Sequence, residues 1–560
     1  MNAYKSLMFL GILFLTQSSL STGEVRKNEP KRFFGRSNIF SAIISSPEIL
    51  LKKLIKYQYP TLKPSAPVAV QITGDLCSQE KLFLQNRLKN VQVVLKDEFE
   101  IDKPLKVAFC CSGGGNRAMI GTLGFLTGAV KSKVFDATLY VAGLSGATWT
   151  IAPLCYLAAT GHYENTLDIL IDMKLHLFQS LSEEIPFGIN GIYPPPLLPL
   201  SLSDNFFIEV AKRVAYDQPI SLINVYGPLV ANYSLELAGD NRLDATWSSV
   251  APSMQSGRMP LPLCASIYET TVRNYEWFEM SPFQAGSIDL GYVPVEYLGS
   301  EFSKGQLNLD SVKLEYPISF YLGMYGSAFA ATVQDLNEEQ LKLRGTKSLA
   351  DNLFQIDLQV DVQPFGQMHK NALLSNSLVQ NYIKDLIQKI IAERNPITYA
   401  KFPNYRQDGD TLGLFDAGID FNLPVPTLIN RPERALDIII MYDSNPGDLQ
   451  TIREIAAYGK RKGLLMPEKM SEVTLKQLSA ETMTVFNDPR TDSYNKNVAT
   501  YLYFPTKDID VTTAPYVTFN FRYLPEYTEF LASKMEQAFL SQVVHIKEIM
   551  QLVAHKKYIA

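Results

Sequence analysis

Histidine and cysteine are both scarce, with five of each in 560 residues. In a chain of this length the cysteines build no disulfide framework and fall at no metal-ligand spacing, and Cys110 and Cys111 read as buried strand residues. A strong charge bias is missing as well. Fifty-two Lys and Arg against 57 Asp and Glu leave a net charge of −5, which gives no reason to expect a nucleic acid as partner. Beyond the N-terminus no apolar run is long enough to span a bilayer, and neither an internal repeat nor a low-complexity tract interrupts the sequence. Hydrophobic residues make up 46% of the chain, ample for a large core, so one large α/β unit is the expected organisation.

What the chain does have is two glycine-rich turns, SGGGNRAM from Ser112 to Met119 and GLSGATW from Gly143 to Trp149. Each follows a short apolar run that reads as a buried parallel strand, Val107 to Cys111 and Leu139 to Ala142, and each opens into a helical pattern. Gly113, Gly114 and Gly115 let the backbone turn with its N–H groups unobstructed, and a helix start of this kind is an anion site. The glycines around Ser145 permit the sharp strand-to-helix reversal that lifts a serine hydroxyl off a sheet edge, which makes Ser145 the candidate nucleophile. A nucleotide phosphate loop is the other reading of the first turn. Against it, no lysine follows at the Walker spacing and the G-x-G-x-x-G pattern is absent.

Far downstream, Asp416 ends a short apolar run in LFDAGIDFNLPVP, Leu414 to Pro426. A parallel sheet collects the C-terminal ends of its strands into one crevice, so an acid and a serine remote in sequence can meet there. Asp416 is the candidate base, with an ordinary Asx-turn acid as the alternative.

Over most of its length the chain resembles the catalytic domain shared by cytosolic phospholipases A2 and fungal lysophospholipases, a patatin-related group. The motifs that carry the resemblance are SGGGNRAM, GLSGATW and the stretch from Asp416 to Asn445, joined by PLPLCASIYET, YEWFEMSPFQAGS and FYLGMYGSAFA between Pro260 and Ala330. It implies an α/β fold with a mostly parallel central sheet flanked by helices and a cap or lid region. It also implies a lipid acyl hydrolase with a serine–aspartate dyad, in which Ser145 is acylated, Asp416 is its base, and the Gly114 and Gly115 amides hold the oxyanion. By the same resemblance Arg117 and Arg434 bind the substrate phosphate, although the linker before Arg434 is one residue longer than the family pattern. A further departure is Ala147, where the family tends to carry serine or glycine. Neither a cofactor nor a metal is implied, and the N-terminal calcium-dependent lipid-binding domain of the cytosolic members is not expected ahead of the matching motifs.

The chemistry agrees with this transfer. A carboxylate deprotonates a serine hydroxyl well only where its pKa is raised, and the Phe415, Phe421 and Leu423 neighbourhood is apolar. Guanidinium groups suit phosphate because they offer planar paired donors, though an arginine in a helix's first turns can equally pair with a core-edge acid. A Ser-Asp-His neutral-lipid esterase is the mechanistic alternative. Only His545 and His555 follow Asp416, and both sit in an amphipathic run, Glu526 to Lys557, where a histidine usually packs or faces solvent. A lipid-binding or interaction protein without activity on the same scaffold is the alternative of a different class.

Residues 1–23 read as a signal peptide, with one lysine before the apolar Leu7 to Leu15 run and small residues near Ser21, so an exported protein is expected; an uncleaved membrane anchor is the alternative. Residues 24–75 form a basic segment in which Arg26, Lys27, Lys31, Arg32 and Arg36 flank Phe33 and Phe34, either a solvated linker or an attraction to an anionic membrane surface. Residues 76–560 are the expected catalytic domain, with phospholipid or lysophospholipid as substrate and peripheral membrane contact. Within it the patterns predict a helix over Gln79 to Lys96 and strands at Leu436 to Met441, Tyr501 to Phe504 and Val517 to Phe521. The proline-rich stretch from Ile185 to Leu200 is a candidate lid segment. Asn232 begins a glycosylation sequon.

Overall fold

The computed structural model describes residues 47–181, 204–328 and 400–558, apart from 62, 222, 408, 519, 521 and 522, together with residue 385. An eleven-stranded sheet organises the chain: β1 Val107–Cys111, β2 Tyr140–Leu144, β3 Leu261–Thr271, β4 Asn274–Met280, β5 Gln284–Ser287, β6 Gly291–Pro294, β7 Ala400–Pro403, β8 Thr411–Asp416, β9 Ile438–Asp443, β10 Thr484–Phe486 and β11 Thr500–Pro505. The helices that matter for the site are α1 Ser78–Phe99, α2 Gly115–Lys131, α3 Thr148–Thr160, α4 Ile223–Ser234, α5 Ile318–Tyr325, α6 Leu449–Arg461, α7 Pro525–Leu540 and α8 Val543–Tyr558.

The strand order is β10-β11-β9-β1-β2-β3-β4-β5-β6, with β8 also paired to β3 and β7 to β8. The centre, β11-β9-β1-β2-β3, is parallel, and the flank from β3 to β6 is antiparallel. The central strands VAFCC, YVAGL and IIIMYD are buried at every position, as strands covered on both faces must be. Register fixes the two faces. Ala108 aligns with Tyr140, so Tyr140 and Phe109 point to opposite sides. On one side Phe125 of α2 and Phe539 of α7 cover Phe109 and Phe504; on the other Phe83 of α1 lies against Tyr140.

From β1 the chain proceeds to β2 and β3 on one side and returns later to β9 and β11 on the other. The carboxyl end of β1 is therefore a topological switch point, where α/β sheets open a crevice. The SGGG turn stands there. Among the described residues no helix is long and apolar enough to cross a membrane.

Several sequence expectations change in detail. The run from Glu526 to Lys557 is two helices, α7 and α8, broken at Ser541 and Gln542. Val517 and Thr518 lie in a turn closed by Asn520 N–H to the Val517 carbonyl at 3.0 Å, not in a strand, and Phe521 is outside the described residues. The signal-peptide stretch, the basic cluster before residue 47 and the Ile185 to Leu200 segment also fall outside them. Asn232 sits within α4, and the neighbouring Ser234 hydroxyl is buried and donates to the Val230 carbonyl at 2.9 Å.

Candidate active site

The elbow after β2 is strained. Ser145 has φ +47°, a left-handed conformation rare outside glycine, and it joins β2 to a single tight turn over Ser145–Ala147 and then to α3. The indole of Trp149 on α3 donates to the Leu322 carbonyl of α5 at 3.0 Å and anchors the helix that follows. A Cβ placed on Gly146 would stand 2.0 Å from the Gly115 carbonyl oxygen, so the elbow meets the SGGG turn backbone to backbone.

That turn is the second component. Gly114 and Gly115 adopt φ +137° and +60°, and α2 begins at Gly115 with its first N–H groups unpaired by the helix. The Gly113 carbonyl accepts from Asn422 Nδ2 at 3.1 Å and from the Ser444 hydroxyl. A trans peptide is planar with its C=O and N–H opposed, so holding the Gly113 oxygen aims the Gly114 N–H the other way. A Cβ on Gly113 would lie 2.7 Å from Ser145 Cβ, which places turn and serine in direct contact.

Asp416 arrives by a different route. β2 lies along β3 as far as Leu144 opposite Ala265; from Ser266 onward the antiparallel β8 takes its place, with Asp416 opposite Ser266 and Phe415 opposite Ile267. β4 holds the other flank of β3. The ends of β2 and β8 thus meet head to head on one edge of one strand, and Asp416 is the register step after Leu144. The Gly418 N–H donates to Asp416 Oδ1 at 2.8 Å. The Asp416 carboxylate is buried; burial foremost, then Tyr233 and Asp416, holds the Tyr226 phenol of α4 above its ordinary pKa. Asp420, the other acid of this loop, is pushed up to about 6 by burial and accepts from Trp277 Nε1 at 2.7 Å.

Arg117 lies on the same side. A Cβ on Gly114 would be 2.9 Å from its Nη2, which donates to Asn445 Oδ1 at 2.9 Å, while Nη1 donates to the Tyr516 carbonyl at 2.6 Å. Burial lowers its pKa, and Tyr523, Tyr442 and Asp443 counter that effect. Burial also pushes Asp443 up to about 7, aided by Asp448 and opposed by hydrogen bonds from the Tyr503 hydroxyl at 2.6 Å and the Asn445 N–H at 3.0 Å.

Arg434, expected at the substrate phosphate, is placed elsewhere. All five of its N–H groups have partners: Nε donates to Glu80, and Nη1 and Nη2 to Glu279, Glu80 and the Thr427 carbonyl. Arg431 joins the same buried cluster, and Tyr140 donates to Glu80 at 2.9 Å. Against burial, which favours the neutral acid, the two arginines hold Glu80 below the usual carboxylate range. Tyr140 is the first residue of β2, so this cluster sits at the strand's far end from Ser145. His545 and His555, expected to pack or face solvent, both lie on α8. His545 is exposed and pairs with Gln542 at 3.1 Å, on a helix whose Lys547, Gln551 and Tyr558 bond the carbonyls of Glu98, Phe99 and Pro104 before β1. His555 lies on the same helix, and His369 is outside the described residues.

Sequence reasoning missed Asn422 and Ser444, which hold the Gly113 carbonyl. The signal was present, since both lie in the long motif from Asp416 to Asn445, but nothing in the sequence says which backbone group they reach. Among the described residues no group of three or more His, Cys, Asp or Glu is arranged to hold a metal.

A parallel-centred sheet with a strained serine elbow against a glycine turn defines the patatin-like α/β class. The family model of the lysophospholipase catalytic domain matches residues 107–453, more than half of the chain, and the chain belongs to that family. It is 25% identical over 418 residues to human cytosolic phospholipase A2 epsilon, covering 66% of this chain and 45% of the relative. To mouse cytosolic phospholipase A2 delta it is 26% identical over 446 residues, covering 71% and 51%. The chain spans about half the length of these curated relatives. Among solved structures, human GIVD cytosolic phospholipase A2 superposes with a TM-score of 0.65 at 20% identity, covering 88% of this chain and 69% of that one, a likeness of fold. The same human protein in complex with methyl gamma-linolenyl fluorophosphonate superposes with a TM-score of 0.60, again at 20% identity and covering 88% and 67%.

Proposed function

We propose that the chain is a lipid acyl hydrolase that cleaves fatty-acyl esters of glycerophospholipids or lysophospholipids through an acyl-enzyme on Ser145, with Asp416 as base. The observation that supports this reading is the head-to-head meeting of β2 and β8 against β3, with Asp416 opposite Ser266 one register step after Leu144 opposite Ala265. In the first step Ser145 Oγ attacks the acyl carbonyl, its proton passes to Asp416, and the carbonyl oxygen becomes an oxyanion held by the Gly114 and Gly115 N–H groups. Collapse breaks the ester bond and Asp416 returns the proton to the leaving alkoxide. Water, deprotonated by Asp416, then attacks the acyl-serine; the bond to Ser145 Oγ breaks, Asp416 returns the proton to Oγ, and the fatty acid is released.

Arg117, against the oxyanion turn, is the phosphate-binding residue of this reading, and Arg434 drops out because its donors are committed. The catalytic domain of this reading, set at residues 76–560 from the sequence, takes in residues upstream as well, since Val70 belongs to the apolar core that reaches Ala554 and its N–H donates to the Gly305 carbonyl at 2.8 Å. Contact with a membrane surface follows from the substrate. Export through cleavage after residues 1–23 rests on the sequence alone, on a lysine before the apolar Leu7 to Leu15 run and small residues near Ser21, and N-terminal sequencing of secreted protein tests it.

A fluorophosphonate of the kind bound to the human relative phosphonylates an activated serine, which supplies the test. The full chain treated with a tagged fluorophosphonate is expected to label at Ser145, located by peptide mass spectrometry, and Ser145→Ala protein to stay unlabelled. Labelling of both proteins, or of neither, rejects the reading.

A further inference from the structure

With Arg434 committed to Glu80 and Glu279, a substrate phosphate at Arg117 meets one guanidinium instead of two. The second donor group beside Arg117 belongs to a tyrosine. Tyr523 packs on Tyr516 with ring centroids 5.9 Å apart, and Tyr516 is the residue whose carbonyl takes Arg117 Nη1 at 2.6 Å. Arg117 is 2% exposed and Tyr523 0%, yet the Nε of the one and the hydroxyl of the other have no hydrogen-bond partner among the described residues. Buried polar groups are nearly always satisfied, and two orphans on neighbouring side chains mark a place for a ligand that accepts from both.

The other polar groups nearby are already used. The Tyr442 hydroxyl accepts from Thr506 Oγ1 at 3.1 Å, and the Asp443 carboxylate is held by Tyr503 and the Asn445 N–H. What remains is a cation fixed by Tyr516 and Asn445, with two free N–H and O–H donors and no carboxylate bonded to it among the described residues. The charge of Arg117 also draws the Tyr523 phenol down against the larger effect of burial, which agrees with their closeness. An anion with several acceptor oxygens completes this set, and a tetrahedral phosphate has them.

We propose that Tyr523 is a phosphate ligand, its hydroxyl and the Arg117 Nε–H together gripping one phosphate group. The proposal rests on the acyl hydrolase reading for its substrate: a Cβ on Gly114 would lie 2.9 Å from Arg117 Nη2, so a phosphate held by Arg117 lies beside the proposed oxyanion turn. The shared chemistry is a phosphate oxyanion, supplied either by a lipid headgroup or by free inorganic phosphate.

Tyr523→Phe removes only the orphan hydroxyl, so the full chain is expected to keep its thermal midpoint. If the headgroup is the ligand, the ratio of kcat/KM for a short-chain phosphatidylcholine to that for a phosphate-free ester, p-nitrophenyl butyrate, falls ~10-fold in the variant, as loss of a hydrogen bond to a charged group does. If free phosphate is the ligand, that ratio holds, while millimolar inorganic phosphate alters p-nitrophenyl butyrate turnover in the wild type and not in the variant. An unchanged ratio together with the same phosphate response in both proteins overturns the proposal. Should the wild type cleave neither ester, the hydrolase reading fails by itself. Tyr523 is then judged by calorimetry with a monomeric lysophosphatidylcholine and with inorganic phosphate: ~10-fold weaker binding of either by Tyr523→Phe supports the proposal, and equal affinities or no binding overturn it.

Discussion

Asn422 Nδ2 donates to the Gly113 carbonyl at 3.1 Å and so ties the loop after Asp416 to the turn before α2. The bond links the loop of the proposed base and the turn of the proposed oxyanion donors through one side chain. Asn422→Ala frees the Gly113–Gly114 peptide to rotate. It is expected to lower kcat by ~10- to 100-fold with little change in KM, because a misaimed oxyanion donor is felt mainly in the transition state. Steady-state kinetics on a soluble ester separates the two parameters, and fluorophosphonate labelling should slow in parallel.

Gly146→Ala tests the closeness of the two turns. The new methyl would stand 2.0 Å from the Gly115 carbonyl oxygen, and no flexible side chain is there to yield. Overpacking of this kind costs ~1–3 kcal/mol, and here it also separates elbow from oxyanion turn. The variant is expected to melt lower and to lose hydrolysis, read by calorimetry and by fatty-acid release.

Arg434 and Arg117 should part company on mutation. Arg434→Ala leaves Glu80 and Glu279 buried with fewer partners, an effect of ~3–5 kcal/mol on stability. Urea unfolding is expected to show that loss. Arg117→Ala should instead lower kcat/KM for phospholipid more than for a phosphate-free ester. An Arg434→Ala protein of full stability with a raised KM for phospholipid would return that residue to the substrate.

These two arginines also mark the limit of what the sequence discloses. The strands at Val107, Tyr140 and Ile438 are legible because a parallel strand covered on both faces is a short continuous apolar run, and the glycine turns are legible because only glycine tolerates their backbone. The partners of Arg434 are not, since Glu80 and Glu279 lie far away in the chain and become neighbours only when α1, β4 and the segment before β9 converge. Asn422 and Tyr523 escape notice for the same reason. The break between α7 and α8 is hidden because apolar periodicity runs on through Ser541 and Gln542.

Glu315 gives the fold a pH dependence. Burial raises its pKa to about 7, although Ser248 donates from its N–H at 3.0 Å and from its hydroxyl. A carboxyl whose folded pKa lies above its unfolded one binds its proton more tightly when folded. Its contribution is therefore complete below about 4.5, the unfolded value, and is lost as pH rises through about 7. Glu315→Gln is expected to flatten the fall in thermal midpoint between pH 5 and pH 8, by up to ~3 kcal/mol in stability, checked by melting the two proteins across that range.

The most direct measurement is fatty-acid release from phospholipid vesicles by the wild type, Ser145→Ala, Asp416→Asn and the double variant. If serine and acid act as one unit, each single change brings release to background and the double variant falls no lower. Wild-type release by either single variant would contradict the account.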